Sequence, residues 1–181
     1  GIGIVRAGAK IGLRNLAFAS ARLADAGDCA SEKLTIDDDQ IEELFTASRA
    51  ATSEFYGRLD NEFSTALTNG PVFRGIRAGV QFGDRFASLV TLTDEAMAAL
   101  AVPGELAFNP VLADMAVQVG AVWNMIANDV FAIPFEIGTL HIGGETRSRD
   151  AVVILEGIED GAEGATVNVA VRELDGRFVM G

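Results

Sequence analysis

Two polar side chains, Asp114 and Gln118, interrupt the apolar run Pro110-Val111-Leu112-Ala113-Asp114-Met115-Ala116-Val117-Gln118-Val119. They stand four residues apart, a spacing that puts both on one face of a helix. A carboxylate in a nearly all-apolar helix is costly unless it is paired, protonated or facing a cavity. A buried carboxyl also holds its proton more firmly, which suits a general acid, and a neighbouring amide can orient it. The plainer alternative is an exposed acid in the first turns of a helix, favoured there by the helix dipole.

Other chemistry is scarce in the 181 residues. One cysteine, Cys29, excludes an internal disulfide framework, and with one histidine, His141, it supplies too few soft ligands for an ordinary zinc site. No metal is expected. Cys29 has only Lys33 as a basic neighbour, so nothing favours its thiolate. The run Asp37-Asp38-Asp39 lacks the glycine and spaced oxygens of a calcium loop and reads as the charge of a helix start. With 26 acidic and 14 basic side chains the net charge is −12, which repels phosphate backbones and anionic lipid surfaces, so nucleic acid is not an expected partner. The longest apolar-dominated run, Val111 to Ile126, contains Asp114, Gln118 and Asn124 and falls short of the roughly 20 residues a bilayer span needs. The expectation is a soluble, cytoplasmic protein without a membrane span.

The element that must carry Asp114 is the clearest in the chain. Asn109 can cap a helix, Pro110 suits its first position, and apolar residues recur to Ile126, which predicts a helix over about 110–127 covered on most sides. Before it, Asn69-Gly70-Pro71 is a turn signal, and Val72 to Gln81 and Phe86 to Leu92 read as a hairpin around Gly83-Asp84. Asp94 to Leu100 reads as a short helix. After 110–127 come four β-leaning segments: Phe131 to Ile142, Ala151 to Gly157, Ala165 to Arg172 and Arg177 to Met180. Strands before and an antiparallel meander after a long buried helix make an α+β layer in which one sheet wraps one helix, the hotdog arrangement.

The domain division expected is 1–23, 24–68 and 69–181. In the first part, Ile11 to Leu23 reads as a strand with an irregularity at Asn15, and Arg6, Lys10, Arg14 and Arg22 stand without an acid. Gly1, Gly3, Gly8 and Gly12 weaken the amphipathic helix that a transit peptide would need. Because the first residue is Gly1 and not methionine, the chain is expected to be processed or to be a part of a larger polypeptide. The segment 24–68 carries eleven acids up to Glu62 against Lys33, Arg49 and Arg58, and reads as a solvated connector. It holds two short helices, marked by Ile41, Leu44 and Phe45 and by Phe55, Leu59 and Phe63.

Taken together, Phe55-Tyr56, Asn69-Gly70-Pro71-Val72-Phe73-Arg74-Gly75-Ile76, Asn109-Pro110 with Asp114 and Gln118, Ile133-Pro134-Phe135-Glu136-Ile137-Gly138 and Asp175-Gly176-Arg177 have a familiar order and spacing. They resemble the second half of dehydratase domains in modular polyketide and polyunsaturated fatty acid synthases. That resemblance implies a double hotdog, of which residues 69–181 form the C-terminal hotdog and 1–23 contain the closing strand of the first. It implies that Asp114 protonates the departing hydroxyl of a 3-hydroxyacyl thioester and that Gln118 orients it. Gly70, Pro71, Phe73, Asn109 and Pro110 are the positions it implies for substrate binding. The substrate would ride on the phosphopantetheine of an acyl carrier protein, with no cofactor of the chain's own. Arg74 and Arg77 could meet that phosphate, although surface solvation is the ordinary role of such arginines.

The departures bear on activity. Asn69 stands where tyrosine is usual, Asn109 where histidine or aspartate is, and Ala113 where leucine is. The family's catalytic base is a histidine on the first hotdog, and no histidine precedes His141, which lies on a strand away from that position. The chain alone is therefore expected to be inactive. Three readings follow: part of a dehydratase domain, a non-catalytic scaffold or carrier-docking domain of a synthase, or an autonomous single-hotdog thioester enzyme. In each the uncovered sheet edge calls for another hotdog half or a second copy.

Overall fold

The structure, a computed structural model, describes residues 4–7, 19–22, 30–47, 49–62, 70–99, 109–129, 137–161 and 164–181. Strands β1 (Ile4–Ala7) and β2 (Ala19–Arg22) pair antiparallel as a two-stranded sheet. Helices α1 (Asp38–Thr46) and α2 (Ala50–Glu62) follow. Next come β3 (Ile76–Phe82), β4 (Arg85–Thr91), α3 (Asp94–Ala99) and α4 (Pro110–Asn128), then β5 (Asp150–Gly161), β6 (Gly164–Glu173) and β7 (Phe178–Met180). Strands β3 to β7 form one antiparallel sheet in sequential order. This is the expected α+β arrangement of a long helix on an antiparallel sheet.

The local reasons are the ones the residues announce. The Asn109 side-chain oxygen accepts from the N–H groups of Val111 and Leu112, each at 3.0 Å, and Pro110 takes the first helical position. Asp129 ends α4 in the left-handed conformation with φ 53°. Gly83, at φ 63°, makes the two-residue turn that pairs Phe82 with Arg85.

Strand alternation sorts the core. On β5, Ala151, Val153 and Leu155 face α4, where they meet Leu112, Met115, Val119 and Val122, while Val152 and Ile154 face the other way. That second face is covered too. Leu34 and Leu44, both nearly inaccessible, pack there against Ala87, Leu89, Val152, Ile154 and Ala170.

Several expectations need correction. The segment 24–68, where described, is packed and not a solvated connector: its acids are exposed, but Leu34, Leu44 and Phe55 are buried. An amphipathic helix can carry many acids and still bury one stripe. Asp37 caps α1 in a reciprocal box with Gln40, which fits the helix-start reading of the Asp37–Asp39 run, while Phe45 points outward at 54% exposure. The strand expected from Val72 begins only at Ile76, because Pro71 starts a 3-10 turn over Pro71–Phe73. The strand expected over 131–142 is absent as a strand in its described part, 137–142. There the chain runs beside β7 through a reciprocal pair of backbone bonds between His141 and Gly181, bonds from the Gly143 and Gly144 N–H groups to the Val179 carbonyl, and a bridge between Ile142 and Met180. Helix α4 is 19 residues long with a mean hydropathy of 1.3, enough by length and composition to cross a bilayer, contrary to the sequence expectation; half of it is buried within the fold. On its remaining side Ala113, Asp114, Val117, Gly120 and Asn124 form a less covered stripe. Asn15, Cys29, Phe63, Asn69 and Phe131–Glu136 lie outside the described residues.

Candidate active site

The polar cluster on α4 begins with a short turn on the strand side. Phe73 N–H donates to the Gly70 carbonyl at 2.9 Å and Arg74 N–H to that of Pro71 at 3.2 Å, closing the 3-10 turn and turning the Phe73 carbonyl outward from it. The chain then passes Gly75, where an added Cβ would collide with the Thr91 carbonyl and the Met115 side chain. Only glycine lets the turn lie this close to α4.

Gln118 is 7% exposed and reaches that turn. Its Nε2 donates to the Phe73 carbonyl at 3.1 Å and to Asp114 Oδ2 at 2.5 Å. Its Oε1 accepts from the Tyr56 hydroxyl at 3.4 Å, and the same hydroxyl accepts from the Ile76 N–H at 3.3 Å. Every hydrogen-bonding atom of the Gln118 amide is thus engaged, as a buried amide requires. Burial pushes the Tyr56 phenol up to about 12, with the Asp114 carboxylate adding to the shift against lowering by the Ile76 N–H and by Arg74 and Arg77, so the hydroxyl keeps its proton.

Asp114 is exposed, on the less covered stripe of α4. The burial that an apolar helix implies for it is not provided by this chain. Its carboxylate is nonetheless held on one side by Gln118, and Oδ1 has no hydrogen-bond partner among the described residues. Such a carboxyl can pass a proton from Oδ1 while Oδ2 stays fixed.

The other expected site residues divide. Phe73 joins the cluster through its backbone carbonyl, and its ring is partly buried against the core. Gly70 and Pro71 are exposed on the same turn. Asn109 is 8% exposed with its side-chain oxygen occupied by the helix cap, and Pro110 is exposed beside it. Arg74 forms a bidentate pair with Asp60, with Nη1 to Oδ2 at 2.9 Å, and its guanidinium lies 5.6 Å from the Tyr56 ring centre. That bond holds the Asp60 carboxyl below its ordinary value and raises the arginine. His141 is tied by its backbone to Gly181 and takes no part in the cluster; its Nδ1 is buried without a partner among the described residues. The spacing of apolar and polar residues assigns Tyr56 no role. Its signals in the sequence are the Phe55-Tyr56 pair within the family resemblance and its being the only tyrosine of the chain.

The geometry has counterparts among known proteins. No curated protein matches the chain. Solved structures do. The dehydratase domain from the CurJ module of curacin polyketide synthase matches with TM-score 0.60 and 14% identity, over 82% of this chain and 52% of that one. GphF dehydratase 1 matches with TM-score 0.54 and 19% identity, over 71% and 46%. The dehydratase domain of RzxB from Pseudomonas fluorescens matches with TM-score 0.50 and 17% identity, over 71% and 45%. At these identities the likeness is one of fold, and the chain spans about half the length of these domains. Among families, the one described as polyketide synthase dehydratase N-terminal domain matches residues 39–181, which takes in α1 from its second residue, α2, the turn at Pro71, α4 and the five-stranded sheet. By that match the chain belongs to the polyketide synthase dehydratase family.

Proposed function

We propose that the chain forms the second half of a double-hotdog dehydratase within a cytoplasmic polyketide synthase, acting on 3-hydroxyacyl chains carried on the phosphopantetheine of an acyl carrier protein. The observation that carries this is the pair on α4: one oxygen of Asp114 is fixed by the Gln118 amide at 2.5 Å and the other has no hydrogen-bond partner among the described residues. The family match bears an N-terminal description; what supports the placement in the second half is the order of the Asn69-Gly70-Pro71-Val72-Phe73 stretch and Asp114-x-x-x-Gln118. On this reading a second hotdog covers the stripe of Ala113, Asp114, Val117 and Gly120, which would remove Asp114 from bulk water and make one wall of a tunnel.

The chemistry is an elimination. A histidine on the other half takes the proton from the carbon next to the thioester carbonyl. The electrons of that C–H bond form the new C=C bond, and the C–O bond to the 3-hydroxyl breaks. Asp114 gives its proton to that oxygen, so water leaves and Asp114 remains as a carboxylate facing the Gln118 N–H. Loss of water needs an acid and a base held on opposite sides of the substrate, and this chain supplies the acid.

A scaffold or carrier-docking role is the second reading, favoured by the occupation of the Asn109 oxygen in a helix cap at a position where the family usually carries histidine or aspartate. Turnover of a 3-hydroxyacyl carrier substrate by the complete protein separates the two. Asp114→Asn keeps the volume and removes the transferable proton, so the dehydratase reading expects a fall of roughly 10²-fold or more with folding intact. The scaffold reading expects no turnover to lose.

A further inference from the structure

The dehydratase reading leaves open why Gln118 presents its nitrogen, and not its oxygen, to Asp114. Its amide could sit in either of two orientations, and only one gives Asp114 a donor. The hydrogen bonds around it settle the choice from two backbone groups that cannot change their role. The Phe73 carbonyl can only accept, so Gln118 Nε2 must face it, at 3.1 Å. The Ile76 N–H can only donate, at 3.3 Å, and it occupies a lone pair of the Tyr56 oxygen. A phenol has one proton, and Gln118 Oε1, at 3.4 Å, is its remaining acceptor in the cluster. The relay therefore runs one way: Ile76 N–H to Tyr56, Tyr56 O–H to Gln118 Oε1, Gln118 Nε2 to Asp114 Oδ2. Both backbone anchors belong to the same short stretch, which Gly75 presses against α4.

Tyr56 itself is held in place. Its ring meets that of Phe55 edge-on at 5.3 Å between centres, with an interplanar angle of 62°. Arg74, paired with Asp60, lies over its face. The two bonds of the relay made by the Tyr56 hydroxyl are long, as such bonds often are before substrate closes a site.

Resting on the dehydratase reading, we propose that Tyr56, on α2, is a positioning residue: its hydroxyl locks the Gln118 amide so that Asp114 meets an N–H donor, carrying the rigidity of the Phe73–Ile76 segment to the catalytic carboxylate. Helix α2 thereby becomes part of the active site, although it lies in the acidic segment that precedes the turn at Pro71.

The test uses the full-length protein with Tyr56→Phe, Gln118→Ala, the double variant and Asp114→Asn, assayed on a 3-hydroxyacyl carrier substrate. Tyr56→Phe is expected to lower kcat about tenfold, the worth of one oriented hydrogen bond, with KM within about twofold. In the Gln118→Ala background it should cost nothing more, because there is no amide left to orient. Additive losses, or an unchanged kcat in Tyr56→Phe while Asp114→Asn is inactive, overturn the proposal and leave the dehydratase reading standing. Full turnover in Asp114→Asn overturns that reading instead. A measurement free of turnover stands beside these, and needs no variant to fold. In the wild-type protein, NMR should show two resolved, slowly exchanging side-chain amide protons on Gln118 and a Tyr56 hydroxyl proton with a cross-peak to Gln118. Gln118 amide signals at ordinary solvent-exposed shifts, with no such hydroxyl proton, overturn the positioning role.

Discussion

Two carboxylates of this chain live in opposite circumstances. Glu173, at the end of β6, is 6% exposed and saturated. Its Oε1 accepts from the N–H groups of Arg147, at 2.5 Å, and Ser148, at 2.7 Å, and its Oε2 accepts from Arg177 Nε at 3.2 Å and lies 2.6 Å from Nη2. Burial pushes its carboxyl up, but the Arg147 N–H, the Arg177 guanidinium and the Ser148 N–H outweigh that and hold it below its ordinary value. Asp114 is exposed and has one donor among the described residues, at Oδ2. A carboxylate with every lone pair engaged can only hold structure together, and here it pins the 143–149 loop beneath the β6–β7 turn. One that is oriented yet unsaturated is available for chemistry.

The comparison can be broken in several places. Glu173→Ala leaves the part-buried N–H groups of Arg147 and Ser148 and the half-buried Arg177 without their acceptor, and should cost about 2 kcal/mol of stability, read by urea unfolding. The pH dependence has a definite sign. Because the folded carboxyl is depressed, its contribution is present above its ordinary value near 4.5 and is lost as pH falls through the folded value, so Glu173→Gln should flatten the acid limb of the stability curve.

Tyr56, the partner of Gln118, titrates with the opposite sign. Its phenol is raised from 10.0 to about 12, so stability should fall by on the order of 2 kcal/mol as pH rises from about 10 to 12. Tyr56→Phe should remove that alkaline loss. A variant that keeps the same loss would show that another group causes it.

Gly75→Ala forces a Cβ against Thr91 and Met115 and should cost about 1 kcal/mol or more in stability. It should disturb Asp114 and spare the Glu173 loop, which amide exchange at Arg147 and Ser148 would report. The smallest effect belongs to Asp60. Its bond to Arg74 is short and bidentate, but its side chain is 46% exposed, and Asp60→Asn should leave Tm unchanged within error.

Much of the scaffold was legible in the sequence, and for physical reasons. The ends of α4 are written in local chemistry, Asn109 and Pro110 at one and Asn128-Asp129 at the other, and the Gly83-Asp84 hairpin in two residues. The pairing of Asp114 with Gln118 follows from helix periodicity alone. What was not legible depended on distant partners. Leu34 and Leu44 are sparse apolar residues among acids, and only the outer face of β4 and β5 turns them into core. The start of β3 at Ile76 is set by how the Pro71 turn meets Gln118, and Tyr56 is 62 residues from the amide it serves. Periodicity sees neither.

The most direct test sets the two carboxylates against each other in the complete protein, measuring dehydration of a 3-hydroxyacyl carrier substrate and thermal unfolding for Asp114→Asn and Glu173→Gln. The account predicts a crossed result: Asp114→Asn loses roughly 10²-fold or more in turnover with Tm unchanged, and Glu173→Gln loses Tm while the folded enzyme keeps its rate. Turnover that survives Asp114→Asn would contradict it.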